Sequence, residues 1–259
     1  MERANDCGGV PVFYQIKPSH LPFYAELGMS FAKLGEEALV PINAFSLAGS
    51  KHKNLRSLTN RLQREGFCFR IIEAAAVSAM LPQLKAVSDD WLSHKSASEK
   101  GFSLGFFKDD YLVRAPIALL EREGRVVAFA NLLCGPTGDE LSVDLMRFAS
   151  TAPYGAIDGL LTHLFLWGRE HGYRWFNLGM APLSGLAASP ESPLWARVGT
   201  FIYRHDAGFY NFAGLRAYKE KFHPVWEPRY LAYPGKFPLL LVLADIAALS
   251  AGGYSRIFR

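Results

Sequence analysis

The stretch that most constrains this fold runs from Ile117 to Phe148, where apolar, β-branched segments follow one another with little room for a helix between them. Ile117 to Glu121 and Arg125 to Cys134 predict a hairpin around Glu123-Gly124, and Glu140 to Phe148 a further strand. An amphipathic helix is expected over Ile157 to His171, stopped by Gly172, and then a strand over Trp175 to Met180. Such an order has to fold as a sheet carrying helices and cannot form a helical bundle.

A similar set of pieces precedes it. Val10 to Ile16 reads as a strand, Ser19 caps a short helix to about Leu27, and Phe31 to Ile42 reads as strands broken by Gly35. A helix from Gly49 to Gly66 carries the stripe Leu55, Leu58 and Leu62. Phe67 to Glu73 is a strand, and Ala76 to His94 a helix with Leu81, Leu84, Val87 and Trp91 as its inner face. After Met180 come a Pro/Gly/Ser loop (Ala181 to Pro193) and helices near Leu194 to His205 and Tyr210 to Phe222. A segment punctuated by Pro224, Pro228 and Pro234 then leads to an apolar terminal helix.

The expectation is an α+β chain of two lobes, each a mostly antiparallel sheet flanked by helices. The polar run Ser93 to Lys100 suggests the division: 1–94 a shortened first lobe, 95–236 a second lobe, 237–259 an apolar helix and tail.

Composition narrows the function. Half of the 259 residues are hydrophobic, enough for a large core and too many for a disordered chain. A net charge of +4 tolerates anionic partners without demanding them. Cys7, Cys68 and Cys134 are scattered and odd in number, which fits neither a disulfide framework nor a zinc site. The first residues lack the pattern of a signal peptide. The longest apolar run, Phe237 to Leu249, falls short of the ~20 residues that span a bilayer and is interrupted by Asp245. It reads as a helix packed on the body or one touching the bilayer interface. His163 and His171 lie too far apart on their helix to share a zinc ion, so no metal is expected. No P-loop and no dinucleotide fingerprint is present.

Two features carry more chemistry. Gly101-Phe102-Ser103-Leu104-Gly105 matches the hydrolase nucleophile elbow, but the polar residues before it cannot form the buried strand that elbow needs. It is read as a turn. On the helix after Gly49, Lys53, Arg56, Arg61 and Arg64 lie opposite the leucine stripe. They offer either a solvated face or a contact for RNA phosphates or an anionic lipid surface.

Several strings are then informative together. They are Pro11 to Gln15, Lys33 to Ala38, Val87 to Leu92, Glu99 to Gly105, Ser142 to Arg147, Phe176 to Leu183, and the block FYNFAGLRAYKEKFHPVWEPRYLA from Phe209 to Ala232. Across essentially the whole chain they resemble the C-terminal domain of the phosphatidylglycerol lysyltransferase family, the bacterial aminoacyl-phosphatidylglycerol synthases. The resemblance implies two tandem GNAT-like acyltransferase lobes. An aminoacyl group, lysyl favoured and alanyl possible, would pass from aminoacyl-tRNA to a glycerol hydroxyl of phosphatidylglycerol. It further implies work at the cytoplasmic face of the bacterial inner membrane, a link to antimicrobial peptide resistance, a flippase module in full-length relatives, and no DNA partner. No cofactor is implied. Locally, Ala149 to Gly155, with a proline and one glycine, is a poor pyrophosphate cradle for acetyl-CoA.

By the same resemblance, Asp144 handles the hydroxyl proton or holds the substrate amino group. Arg147 holds the lipid phosphate, and Lys219 faces the tRNA acceptor end or the developing oxyanion. Tyr111, Tyr210, Asn211 and Arg216 are further substrate-binding candidates, and Lys53, Arg56, Arg61 and Arg64 the tRNA-binding set. On a regular strand Asp144 and Arg147 point to opposite faces, so a shared site requires a bulge or a strand end near Met146. Two other readings are a related tRNA-dependent transferase with another acceptor, and a non-catalytic tRNA- or membrane-binding module.

Overall fold

The computed structural model describes residues 4, 6–95, 105–186, 212–251 and 253. Eight strands are present among them: β1 Phe13–Ile16, β2 Met29–Pro41, β3 Phe67–Ile72, β4 Ile117–Arg122, β5 Arg125–Cys134, β6 Glu140–Phe148, β7 Trp175–Pro182 and β8 Val225–Pro234. The helices are α1 Leu21–Glu26, α2 Lys53–Arg64, α3 Ala74–Lys95, α4 Asp109–Leu112, α5 Ala156–Glu170, α6 Phe212–Glu220 and α7 Leu239–Ala251. Strand order is β1-β8-β2-β7-β6-β5-β4-β3. The class is mixed α+β, as expected. Two compact units emerge, Met1–Val40 with Leu178–Arg259, and Pro41–Asn177. This division is discontinuous in sequence and does not follow the expected boundaries at residues 94 and 236.

In the Pro41–Asn177 unit, β3, β4, β5 and β6 form an antiparallel meander, and β6 meets β7 in parallel through Glu140↔Trp175, Leu141↔Phe176 and Ser142↔Asn177. The β4–β5 turn uses left-handed backbone at Glu123 and Gly124, the conformation a tight hairpin needs. Helix α3 drives Val77, Leu84 and Val87 into Ile117, Leu119, Phe129 and Leu145. These side chains are almost wholly buried, each contributing on the order of 2 kcal/mol. Helices α2 and α5 lie together, with Leu58 against Gly155 and Leu62 against Gly159.

In the other unit, β8 sits between β1 and β2. The prolines near its ends led to the expectation of a proline-punctuated connector, and the segment is instead a strand. The reason is positional. Pairing with β1 runs only from Tyr230 to Ala232, so at Pro228, opposite Glu36, β8 has a neighbour on one side and tolerates a residue without an amide N–H. Likewise Gly35 does not break β2; it shifts the register between Lys33 and Gly35 within one strand. Helix α7 packs Leu239, Val242, Leu243 and Ile246 on Ala32, Leu34 and Leu231, and leaves Leu240, Leu241 and Leu249 exposed. The helix expected over 194–205 lies outside the described residues. No described helix is long and apolar enough to cross a membrane.

Candidate active site

The site begins with an irregularity in β6. Ala130 pairs with Met146, yet Leu132 pairs with Val143, so Asn131 alone opposes both Asp144 and Leu145. This is a β-bulge, one residue more on β6 than on β5. The fully buried Asn131 fastens it: its Oδ1 accepts the Asp144 amide at 3.3 Å and the Leu145 amide at 2.7 Å. The bulge reverses the alternation of the strand. Leu141 lies against Gly168 of α5, whereas Leu145, four residues on, joins the cluster under α3. Asp144 and Arg147 consequently both reach the α3 side. Asp144 binds Tyr111, which packs on that cluster, and the Arg147 guanidinium lies 4.2 Å from the Trp91 ring centre. The bulge that a shared face requires is present.

Asp144 is held by two short donors. Its Oδ1 accepts the Gly105 amide at 2.6 Å, and its Oδ2 accepts the Tyr111 hydroxyl at 2.5 Å. The Asn131 amide in turn donates to the Tyr111 hydroxyl at 3.2 Å. Burial, then the adjacent Asp144 carboxylate, push the Tyr111 phenol up to about 12, so it stays a donor at neutral pH. Gly105 is required by space: a Cβ there would stand 2.5 Å from Asp144 Oδ2. Of the GFSLG string only Gly105 lies within the described residues, and its work is to approach a carboxylate.

Asp144, Tyr111 and Gly105 line an open cavity of about 550 Å³ with Phe106, Lys108, Asp110 and Arg114. Arg147 is not among its described lining residues; it is nine-tenths buried under Trp91 and donates to the Met146 carbonyl.

Lys219 belongs to the other unit. Buried on α6, its Nζ donates to the carbonyls of Gly179 and Met180 at 2.9 Å each, where Gly179 takes left-handed backbone midway along β7. Burial pulls the ammonium down to about 8, against the charge of Glu37, which acts to raise it. Arg216, in the same unit, is held by an ion pair and a ring contact. Its Nη1 bonds Glu36 and, at 2.9 Å, the Ser184 hydroxyl, and its guanidinium stacks 4.0 Å from the Trp226 ring centre. Burial pushes the Glu36 carboxyl up, but Lys33 and Arg216 together hold it below its usual value. Tyr210 and Asn211 lie outside the described residues.

The basic set on α2 divides. Arg56 donates to the carbonyls of Leu47 and Gly49, and Arg61 to that of Tyr154, so both fasten neighbouring loops. Lys53 and Arg64 remain on the exposed side. Among the described residues no group of His, Cys, Asp and Glu could hold a metal ion.

Sequence reasoning missed Asn131, Gly105 and Arg114. Asn131 carried a signal, since it is the one polar residue in the apolar run from Val126 to Leu133.

Fold and site define an α+β domain with a carboxylate-floored cavity on a bulged strand. Residues 1–233 match the family model for phosphatidylglycerol lysyltransferase, C-terminal. The phosphatidylglycerol lysyltransferase of Bacillus subtilis (strain 168) is 43% identical over 234 residues, which is 90% of this chain and 27% of the relative. That of Staphylococcus aureus (strain COL) is 39% identical over 223 residues, 86% of this chain and 26% of the relative. The chain thus spans about a quarter of the length of the curated relatives it matches. The C-terminal domain of a lysylphosphatidylglycerol synthetase from Agrobacterium fabrum superposes with a TM-score of 0.84 at 43% identity, over 97% of this chain and 76% of that one. L-PGS from Bacillus licheniformis gives 0.81 at 40% identity, over 96% and 75%. FemX shares the fold alone, with a TM-score of 0.58 at 10% identity over 93% of this chain and 76% of that one. The chain belongs to the phosphatidylglycerol lysyltransferase C-terminal family.

Proposed function

We infer that this chain carries the transfer site of a phosphatidylglycerol lysyltransferase, moving a lysyl group from aminoacyl-tRNA to a glycerol hydroxyl of phosphatidylglycerol. The observation that carries this is the Asp144 carboxylate, held by Gly105 and Tyr111 at the floor of an open cavity, in a chain of this family. The two units are taken as the two GNAT-like lobes of the fold.

The aminoacyl ester is already activated, and exchange of one ester for another is nearly balanced, so positioning and charge stabilisation dominate. The lipid hydroxyl oxygen attacks the ester carbonyl carbon, the bond to the tRNA ribose oxygen breaks, and the hydroxyl proton ends on that ribose oxygen. Among the described residues each Asp144 oxygen accepts one bond, which leaves a further acceptor direction through which the carboxylate orients the hydroxyl and relays its proton. Tyr111 and Gly105 fix the carboxylate, and Arg147 supports the same strand through Trp91. Lys219 is assigned separately to the tRNA acceptor end or the oxyanion. The exposed Lys53 and Arg64 supply phosphate contacts for tRNA. The product forms at the inner surface of the membrane.

Labelled lysyl-tRNA and phosphatidylglycerol vesicles should give lipid-extractable label with the protein, and Asp144→Ala should abolish it with the fold intact. Unchanged turnover in that variant removes Asp144 from the mechanism. Lysyl- and alanyl-tRNA in competition identify the amino acid carried.

A further inference from the structure

We propose that Arg114 is the anion-binding residue of the Asp144 cavity and holds the phosphodiester of the acceptor lipid headgroup. The inference rests on the transfer reading above and assigns the phosphate contact to a residue other than Arg147.

The cavity wall supplies the argument. Tyr111 lies on α4 and Arg114 in the turn that follows it, where the Arg114 amide donates to the Tyr111 carbonyl at 3.2 Å. Tyr111 reaches down to Asp144 and Arg114 lines the same cavity. The guanidinium is oriented from behind: its Nε donates to the Asp110 carbonyl at 2.7 Å, while neither Nη has a partner among the described residues. A guanidinium tied at Nε keeps its planar Nη edge for a second, two-pronged acceptor, the geometry a phosphodiester matches.

The other cation among the described lining residues is paired with a carboxylate. Lys108 and Asp110 pair at 3.1 Å, and Asp144 is bound by Tyr111 and Gly105. Among the described lining residues, Arg114 is therefore the cation without a carboxylate partner. A cavity of about 550 Å³ with a cation on its wall and a carboxylate at its floor suits a molecule with an anionic phosphodiester and a hydroxyl a few bonds away. A glycerophosphoglycerol headgroup has both. A tRNA backbone phosphate offers the anion too, but the hydroxyl beside it in the reaction belongs to the lipid, which favours the lipid as occupant.

The test uses soluble glycerophosphoglycerol as a binding probe and mixed phosphatidylglycerol/phosphatidylcholine vesicles for turnover. Arg114→Ala should weaken probe binding at least tenfold and raise the lipid KM by a similar factor, with the lysyl-tRNA KM within twofold. Arg114→Lys should fall between, since it keeps charge without the fork. Asp144→Asn should lose turnover yet keep probe binding within a few-fold. Wild-type-like probe binding by Arg114→Ala, no probe binding by the wild type, or an effect confined to the tRNA KM would each overturn the proposal. If Asp144→Asn stays active, the transfer reading itself fails, whereas an inactive Asp144→Asn beside an unaffected Arg114→Ala refutes this inference alone.

Discussion

Asn131 and Asp144 face each other across a bulge in which one side-chain oxygen takes the place of a strand's carbonyl. Oδ1 of Asn131 receives the amides of both Asp144 and Leu145, and its Nδ2 supports the tyrosine hydroxyl that binds the Asp144 carboxylate. One buried amide therefore sets both the backbone and the partner of the central acid.

Replacing Asn131 by leucine fills similar volume but strands those donors. An unsatisfied buried amide costs about 1–3 kcal/mol, so Asn131→Leu should lower the urea midpoint correspondingly at unchanged m-value. Activity should fall further than the loss of folded protein explains. In the Tyr111→Phe background the same substitution should cost less activity than in wild type, because part of its effect passes through Tyr111. Strict additivity would show that Asn131 does not act on the reaction through Tyr111.

Two glycines make a paired contrast. A Cβ at Gly105 would meet the Asp144 carboxylate at 2.5 Å, the mobile end of a side chain. Gly105→Ala should therefore leave thermal stability nearly unchanged while displacing Asp144, and kcat should fall by roughly ten- to a hundredfold. An active Gly105→Ala enzyme would mean that the position of the carboxylate is not limiting.

At Gly35 the obstacle is backbone. A Cβ would stand 2.4 Å from the Ala181 carbonyl oxygen and 3.0 Å from the Leu183 amide nitrogen, neither of which can rotate away. Gly35→Ala should destabilise by about 2 kcal/mol or more, visible as a lowered melting temperature or loss of soluble protein. The glycine that looked like a strand break is a point of close approach between strands.

The contrast shows which parts of the molecule were legible in its sequence. Strand β6 falls at Glu140–Phe148 as periodicity indicates, because alternation along a half-buried strand is a local property. The bulge was foreseen only as a necessity, from the three-residue spacing of Asp144 and Arg147. Its cause, Asn131, sits on the neighbouring strand, and pairing register leaves no mark in either segment alone. Strand β8 was obscured because proline's penalty depends on which edge has a neighbour, a fact of topology. The roles of Gly105 and Arg114 were hidden for the same reason, since each acquires meaning from a residue distant in sequence.

Lys219 gives the last prediction, a dependence of stability on pH. Its ammonium loses a proton at about 8 in the folded chain, against 10.5 ordinarily. Well below pH 8 the lysine is charged in both states and the folded state carries the full burial penalty. Between about 8 and 10.5 the unfolded chain binds more protons, so rising pH favours folding, by at most roughly 3 kcal/mol at completion. Lys219→Met removes this gain and also leaves the Gly179 and Met180 carbonyls without their donor, a loss that does not vary with pH. Urea midpoints of wild type and variant, compared at pH 7.5 and pH 10, should therefore diverge in favour of wild type at the higher pH. Tyr111, raised to about 12, titrates alike in both proteins and cancels in the difference. A difference that stays constant between the two pH values would mean that Lys219 keeps its proton in the folded chain.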